Sequence, residues 1–157
     1  MNNFIKKFES FENDGLFRKV ASDIKVPSWY DRTEVEITSF VGKTITSIEG
    51  MENGKDTIRF ICDDGSEFYM LHEQDCCESV EIVDVVGDVE DLIGSPILTA
   101  KETTNEGRDG VREDGSSMES YTYTFYDLAT RKGFVTLRWL GESNGYYSES
   151  VYIYLKK

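Results

Sequence analysis

Several features that mark membrane, secreted and nucleotide-binding proteins are absent from this sequence. No apolar run approaches the roughly 18 residues that a membrane span requires. The first residues, MNNFIKKFESFEND, lack the apolar core of a secretory signal peptide. There is no Walker loop, no GxGxxG and no GxSxG motif. The sequence therefore predicts a cytoplasmic protein without a membrane partner.

Cysteine and histidine are scarce, with three cysteines and one histidine in the chain. An odd number of cysteines without a signal peptide predicts reduced thiols. Cys76 and Cys77 follow closely after His72, and these are the residue types that zinc prefers. Adjacent cysteines cannot easily both point at one tetrahedral ion, so the three residues are only weak metal candidates. We expect no catalytic residue and no cofactor.

Lysine and arginine are also few, 17 against 30 aspartates and glutamates, which gives a formal net charge of −13. A charge of this size repels phosphate groups, so it disfavours direct binding to nucleic acid. It favours a protein partner with a basic surface. The competing explanation is that the charge only keeps the protein soluble.

The carboxylates are concentrated in the middle of the chain, where residues 49–91 hold fourteen acids and two bases. Acids that alternate with apolar residues in a strand share its solvent face, which predicts a continuous acidic surface. Its other possible role is to keep a sheet edge from aggregating. The predicted acidic binding surface consists of Glu73, Asp75, Glu78, Glu81, Asp84 and Asp88.

The spacing of apolar residues changes along the chain. Over residues 2–25 they recur at three- and four-residue intervals, which predicts two short amphipathic helices or one broken helix. From residue 34 onward they alternate between turns such as Asn53-Gly54, which predicts antiparallel strands. Residues 105–118 combine charges with three glycines and are predicted to be a loop.

The predicted fold is α+β, with a mainly antiparallel sheet of seven to eight strands that is curved or two-layered. The N-terminal helices would cover an edge or an open face of the sheet. Residues 1–33 are assigned to the helical segment and a linker, and residues 34–157 to a single β-rich domain. The main alternative is a half-closed barrel, because long aromatic strands tend to curl.

Aromatic residues in the C-terminal third suggest a second kind of binding face. Tyrosines and a tryptophan beside arginine could anchor a protein interface or stack on a small ligand whose charge meets Arg138 or Arg131. The predicted aromatic or ligand face consists of Tyr123, Trp139, Arg138, Tyr146 and Tyr147.

The run HEQDCCESVEIVDVVGDVEDLIGSPI and the later strands FYDLAT and GFVTLRWLGESNGYYS resemble a family of small uncharacterised bacteriophage proteins. The resemblance covers roughly residues 40–157. It implies a phage context but no established activity.

Three functions are consistent with these patterns. The first is a phage-encoded, non-catalytic inhibitor that binds a host protein, such as a defence component, in the cytoplasm of the infected bacterium. The second is a protein that binds or sequesters a small ligand such as a nucleotide signal. The third is a metal- or cysteine-dependent enzyme built on His72 and the cysteines.

Overall fold

The computed structural model describes residues 23–157, and in this range the regular elements are β-strands and three short 3₁₀ helices. The predicted α+β class is therefore wrong for the described chain, which is all-β. The helices predicted over residues 2–25 lie outside the described residues, apart from residues 23–25, which are not helical. Among the described residues, none forms a helix with the length and apolar character needed to cross a membrane.

Nine strands are present in residues 23–157, one or two more than predicted. They are β1 (Arg32–Glu34), β2 (Ile45–Glu49), β3 (Thr57–Cys62), β4 (Glu67–Leu71), β5 (Ser79–Val86), β6 (Thr99–Val111), β7 (Ser117–Thr130), β8 (Gly133–Ser143) and β9 (Tyr152–Lys156). The 3₁₀ helices are Trp29–Asp31, Ile37–Phe40 and Val89–Leu92. Asp88 caps the last of these by accepting a hydrogen bond from the amide of Glu90 at 3.0 Å.

The strands form two antiparallel sheets, which confirms a two-layered arrangement. The first sheet has the order β1-β9-β4-β3-β2, and the second has the order β5-β8-β7-β6. The chain builds β1 to β4, crosses to the second sheet for β5 to β8, and returns as β9 between β1 and β4. Among the described residues, the edge strands are therefore β1 and β2 in the first sheet and β5 and β6 in the second.

A single hydrophobic core lies between the two sheets. The first sheet contributes Phe60 and Phe68, whose rings contact Phe40 with centroids 4.9 and 4.3 Å apart. The second sheet contributes Tyr126 and Trp139, both fully buried. Alternate residues of β7 and β8 are buried, as expected for strands with one face against a core. Burying each large apolar side chain stabilises the fold by about 1.5–3 kcal/mol.

The prediction of a loop over residues 105–118 is wrong. Strand β6 continues to Val111 and β7 begins at Ser117, so only a tight turn separates them. The two strands pair in register from Thr99 with Ala129 to Val111 with Ser117. Because β6 is an exposed edge strand, it takes its hydrogen bonds from β7 and needs no apolar face of its own, which is why its composition resembles that of a loop.

Candidate binding cleft and the central loop

The connection between β4 and β5, residues 72–78, is named the central loop. It wraps around the buried carboxylate of Glu78. Its Oε1 accepts hydrogen bonds from the amide of Asp75 at 2.6 Å and from Nε2 of His72 at 2.9 Å. Its Oε2 accepts a bond from the amide of Cys76 at 3.0 Å. The amide group of Gln74 donates to the carbonyl oxygen of Glu78 at 2.7 Å and closes the loop. The hydrogen bond from the Asp75 amide, followed by that from His72, lowers the pKa of Glu78 to about 2.

The second ring nitrogen of His72 is also occupied. Nδ1 lies 2.7 Å from the carbonyl oxygen of Ser150, which can only accept a hydrogen bond. Nε2 lies 2.9 Å from the carboxylate of Glu78, which also receives two amide hydrogens. His72 therefore joins the central loop to the segment that precedes β9, and it has no free nitrogen for a metal or a substrate.

The cysteines are placed differently from the prediction. Cys76 and Cys77 are exposed and joined by a disulfide, so the prediction of reduced thiols is wrong for this pair. The free Cys62 is buried on β3, and burial raises the pKa of its thiol. Within residues 23–157, no group of three or more histidine, cysteine, aspartate or glutamate residues could hold a metal ion. The weak metal candidates His72, Cys76 and Cys77 are thus not assembled into a site.

The residues of the predicted acidic surface have different environments. Glu78 is buried, and Glu73 forms an ion pair with Arg32 at 2.5 Å. Asp84 lies 3.8 Å from Arg138, and Asp88 caps a 3₁₀ helix. Asp75 is exposed, and Glu81 is half-buried on β5. Much of the acid that is dense in sequence is therefore used within the fold.

The predicted aromatic face is divided between the two sides of the second sheet. Trp139 pairs with Thr124 in the register of β7 and β8 and points into the core with 0% exposure. Tyr123 is adjacent to Thr124 and so points to the opposite side, where the guanidinium of Arg138 lies 5.4 Å from its ring centroid. Tyr146 and Tyr147 contact each other in the connection between β8 and β9, with Tyr146 84% exposed. Trp139 and Tyr123 cannot stack on one ligand.

A cleft of about 760 Å³ opens between the two sheets. One wall is the inner side of β6 and β7 near Glu106 and Thr122, and the other is formed by residues 34–38 and 147–153. The segment before β9 is fixed by Glu149, whose carboxylate accepts hydrogen bonds from Thr122 at 2.8 Å and from Ser143 at 2.5 Å. This segment also crosses β8 so closely at Gly141 that a Cβ there would lie 2.5 Å from a backbone oxygen.

The cleft collects carboxylates that the fold does not neutralise. Five glutamates line it, against Arg108 as the one lysine or arginine among its lining residues. Four of the five are exposed and have no ion-pair partner in the described part of the chain. These four, named the cleft carboxylates from here on, are Glu34, Glu36, Glu102 and Glu106.

By contrast, carboxylates elsewhere on the sheets have cations beside them. Glu67 contacts both Arg59 and Lys156, and Asp64 contacts Lys43 at 2.5 Å. Because the cleft carboxylates lack such cations among the described residues, the cleft is suited to bind ammonium or guanidinium groups. The cleft carboxylates were not predicted from the sequence because they lie outside the acid-rich middle of the chain. Glu34 and Glu36 precede β2, and Glu102 and Glu106 lie on β6.

Comparison with known proteins places this architecture in a family. The domain family DUF7448, a domain of unknown function, matches residues 38–153. The chain belongs to the DUF7448 family. No curated protein and no solved structure matches it. The DUF7448 match includes the central loop and the two cleft carboxylates on β6, whereas Glu34 and Glu36 precede it.

Proposed function

We propose that this DUF7448 protein is a non-catalytic binding protein that recognises a basic region of a partner protein through the cleft carboxylates. The observation that carries the proposal is the absence of ion-pair partners for Glu34, Glu36, Glu102 and Glu106 among residues 23–157, in a cleft large enough to admit side chains. A cation that enters this cleft meets negative charge from both walls. Among residues 23–157, Arg108 is the one lysine or arginine lining the cleft that would compete with such a cation.

The environment of the reactive side chains supports a non-catalytic role. His72 uses both ring nitrogens in hydrogen bonds, and Cys62 is a buried thiol with a raised pKa. A nucleophilic site needs a base with a free nitrogen beside an accessible, activated thiol. Neither requirement is met by these residues.

The biological context of the proposal comes from the resemblance of the central motif to small phage-encoded proteins. In that context the protein acts in the cytoplasm of an infected bacterium, and its partner is a host protein such as a component of a defence system. The charge of −13 supports the same choice of partner, because it attracts basic protein surfaces and repels nucleic acid. The alternative of a nucleotide-binding protein is less well supported, since Arg108 is the one basic residue that lines the cleft in the described part of the chain.

The test compares two full-length variants that lose the same number of charges. The cleft variant replaces each of the four cleft carboxylates with glutamine. The control variant alters exposed acids that do not line the cleft, through E52Q, D75N, E90Q and E119Q. Each protein is used to capture partners from bacterial lysate at low and high salt, and the captured protein is then purified and its affinity measured.

Loss of four exposed ion pairs at about 0.2–1 kcal/mol each corresponds to a loss of affinity between about fourfold and several hundredfold. We expect that loss for the cleft variant and near-native, salt-sensitive binding for the control variant. Equal affinity of the two variants for the purified partner would refute the proposal.

A further inference from the structure

The outer edge of β6, beside the cleft, is a row of backbone hydrogen-bonding groups with which no other strand of residues 23–157 pairs. Strand β6 is the last strand of the second sheet, and residues 99–111 make their backbone pairs with β7. In an antiparallel strand, every second residue directs its N–H and C=O groups away from its neighbour. The described residues place no strand against that edge, which extends over 13 residues. Such an edge can accept another strand.

The side chains on the cleft side of β6 have a regular spacing. Glu102, Thr104 and Glu106 are alternate residues, so they share one face of the strand, and all three line the cleft. At about 3.3 Å per residue, the two glutamates are separated by about 13 Å along the strand. A neighbouring strand would place its own side chains directly opposite them at the same two-residue interval.

We propose that an extended segment of the partner protein adds to β6 as a fifth strand of the second sheet, with lysine or arginine at positions i and i+4 facing Glu102 and Glu106. This inference rests on the proposed function and specifies how its partner binds. Backbone hydrogen bonds to β6 provide affinity without regard to sequence, and the two glutamates select the spacing of the cations. Small polar or β-branched residues at i+2 fit opposite Thr104.

Charge distinguishes this occupant from a second copy of the chain. Two copies paired through β6 would bring together two clefts that each contain five glutamates and one arginine. Like charges placed opposite one another across strands are destabilising. A basic segment instead supplies the opposite charge at the same positions.

The spacing is tested with synthetic peptides and the full-length protein. The first probe is a fluorescein-labelled nine-residue peptide of threonine and valine with lysines four residues apart, which place both cations on one face of a strand. The control peptide has the same composition with the lysines three residues apart, which place them on opposite faces. Because the control peptide keeps one of the two cross-strand ion pairs, the first peptide should bind about two- to fivefold more tightly in fluorescence anisotropy.

Two further comparisons separate strand addition from simple charge attraction. The peptide is N-methylated either at its odd-numbered or at its even-numbered amides, which removes the hydrogen-bond donor at those positions. Only methylation of the amides that face β6 should abolish binding. On the protein side, E102Q with E106Q should remove the preference for the four-residue spacing. The matched exposed pair E52Q with E90Q should leave the preference unchanged.

The outcomes distinguish this inference from the proposed function. Equal binding of the two spacings, or no effect of either methylated set, refutes strand addition. If these peptides fail while a purified lysate partner still depends on the cleft carboxylates, the proposed function stands and the strand-addition mode is wrong. If the partner does not depend on the cleft carboxylates either, both are wrong. Spacing preference together with sensitivity to one methylated set supports the inference.

Discussion

Replacing His72 with phenylalanine tests whether the histidine–glutamate pair holds the central loop. Phenylalanine keeps a flat ring but removes the hydrogen bonds to Glu78 at 2.9 Å and to the carbonyl oxygen of Ser150 at 2.7 Å. A buried group that loses its partner costs about 1–3 kcal/mol, and two groups are affected here. The substitution should therefore lower the free energy of unfolding by about 2–6 kcal/mol.

The measurement is urea-induced unfolding followed by tryptophan fluorescence, since Trp139 is fully buried in the folded protein. The matched control is D75N in the same loop, because the Asp75 side chain is exposed and its change should alter stability by about 0.5 kcal/mol or less. If H72F costs no more than D75N, the pair does not hold the loop and the account of residues 72–78 is wrong.

The effect of H72F should depend on pH in a defined direction. The pKa of Glu78 is lowered in the folded protein from its ordinary value of 4.5 to about 2, so its ionised form stabilises the fold above pH 4.5. That contribution is lost as the pH falls from 4.5 towards 2. H72F removes one of the donors that lower this pKa, so the difference in stability between wild type and H72F should shrink over the same range. A difference that stays constant would contradict this assignment.

One other prediction follows from the described contacts. W139A should lower the free energy of unfolding in urea by about 3–5 kcal/mol, because it opens a cavity in the core. Y146A changes a side chain that is 84% exposed, so it should alter that free energy by about 0.5 kcal/mol or less. Similar losses of stability for W139A and Y146A would contradict the placement of Trp139 in the core and of Tyr146 at the surface.

Local patterns predicted most of the strands correctly. The alternation in residues 56–62 corresponds to β3, and the alternation around Trp139 corresponds to β8. Asn53-Gly54 forms the expected turn, with Gly54 at a φ of +84° that glycine adopts without strain. These features depend on neighbours in sequence, which is why a single sequence is enough to recognise them.

The errors occurred where a distant part of the chain determines the outcome. Residues 105–111 read as a loop, yet the aromatic strand β7 supplies their hydrogen bonds, and the ring of Tyr121 packs over Gly107 and Gly110. Tyr123 and Trp139 were assigned to one face, although the register between β7 and β8 places them on opposite sides. Register between strands is a tertiary property that alternation within each strand does not specify.

The candidate site shows the same limit for charge. The sequence is most acidic over residues 49–91, but there the fold supplies cations or donors to Glu67, Glu73 and Glu78. The cleft carboxylates lie outside that stretch and become a cluster only because the edge strands β1 and β6 border one opening. Charge density along a sequence measures how much acid is present, whereas binding depends on the acid that remains uncompensated after folding. An experiment that neutralises the acid-rich middle therefore tests stability first, and one that neutralises the cleft tests recognition.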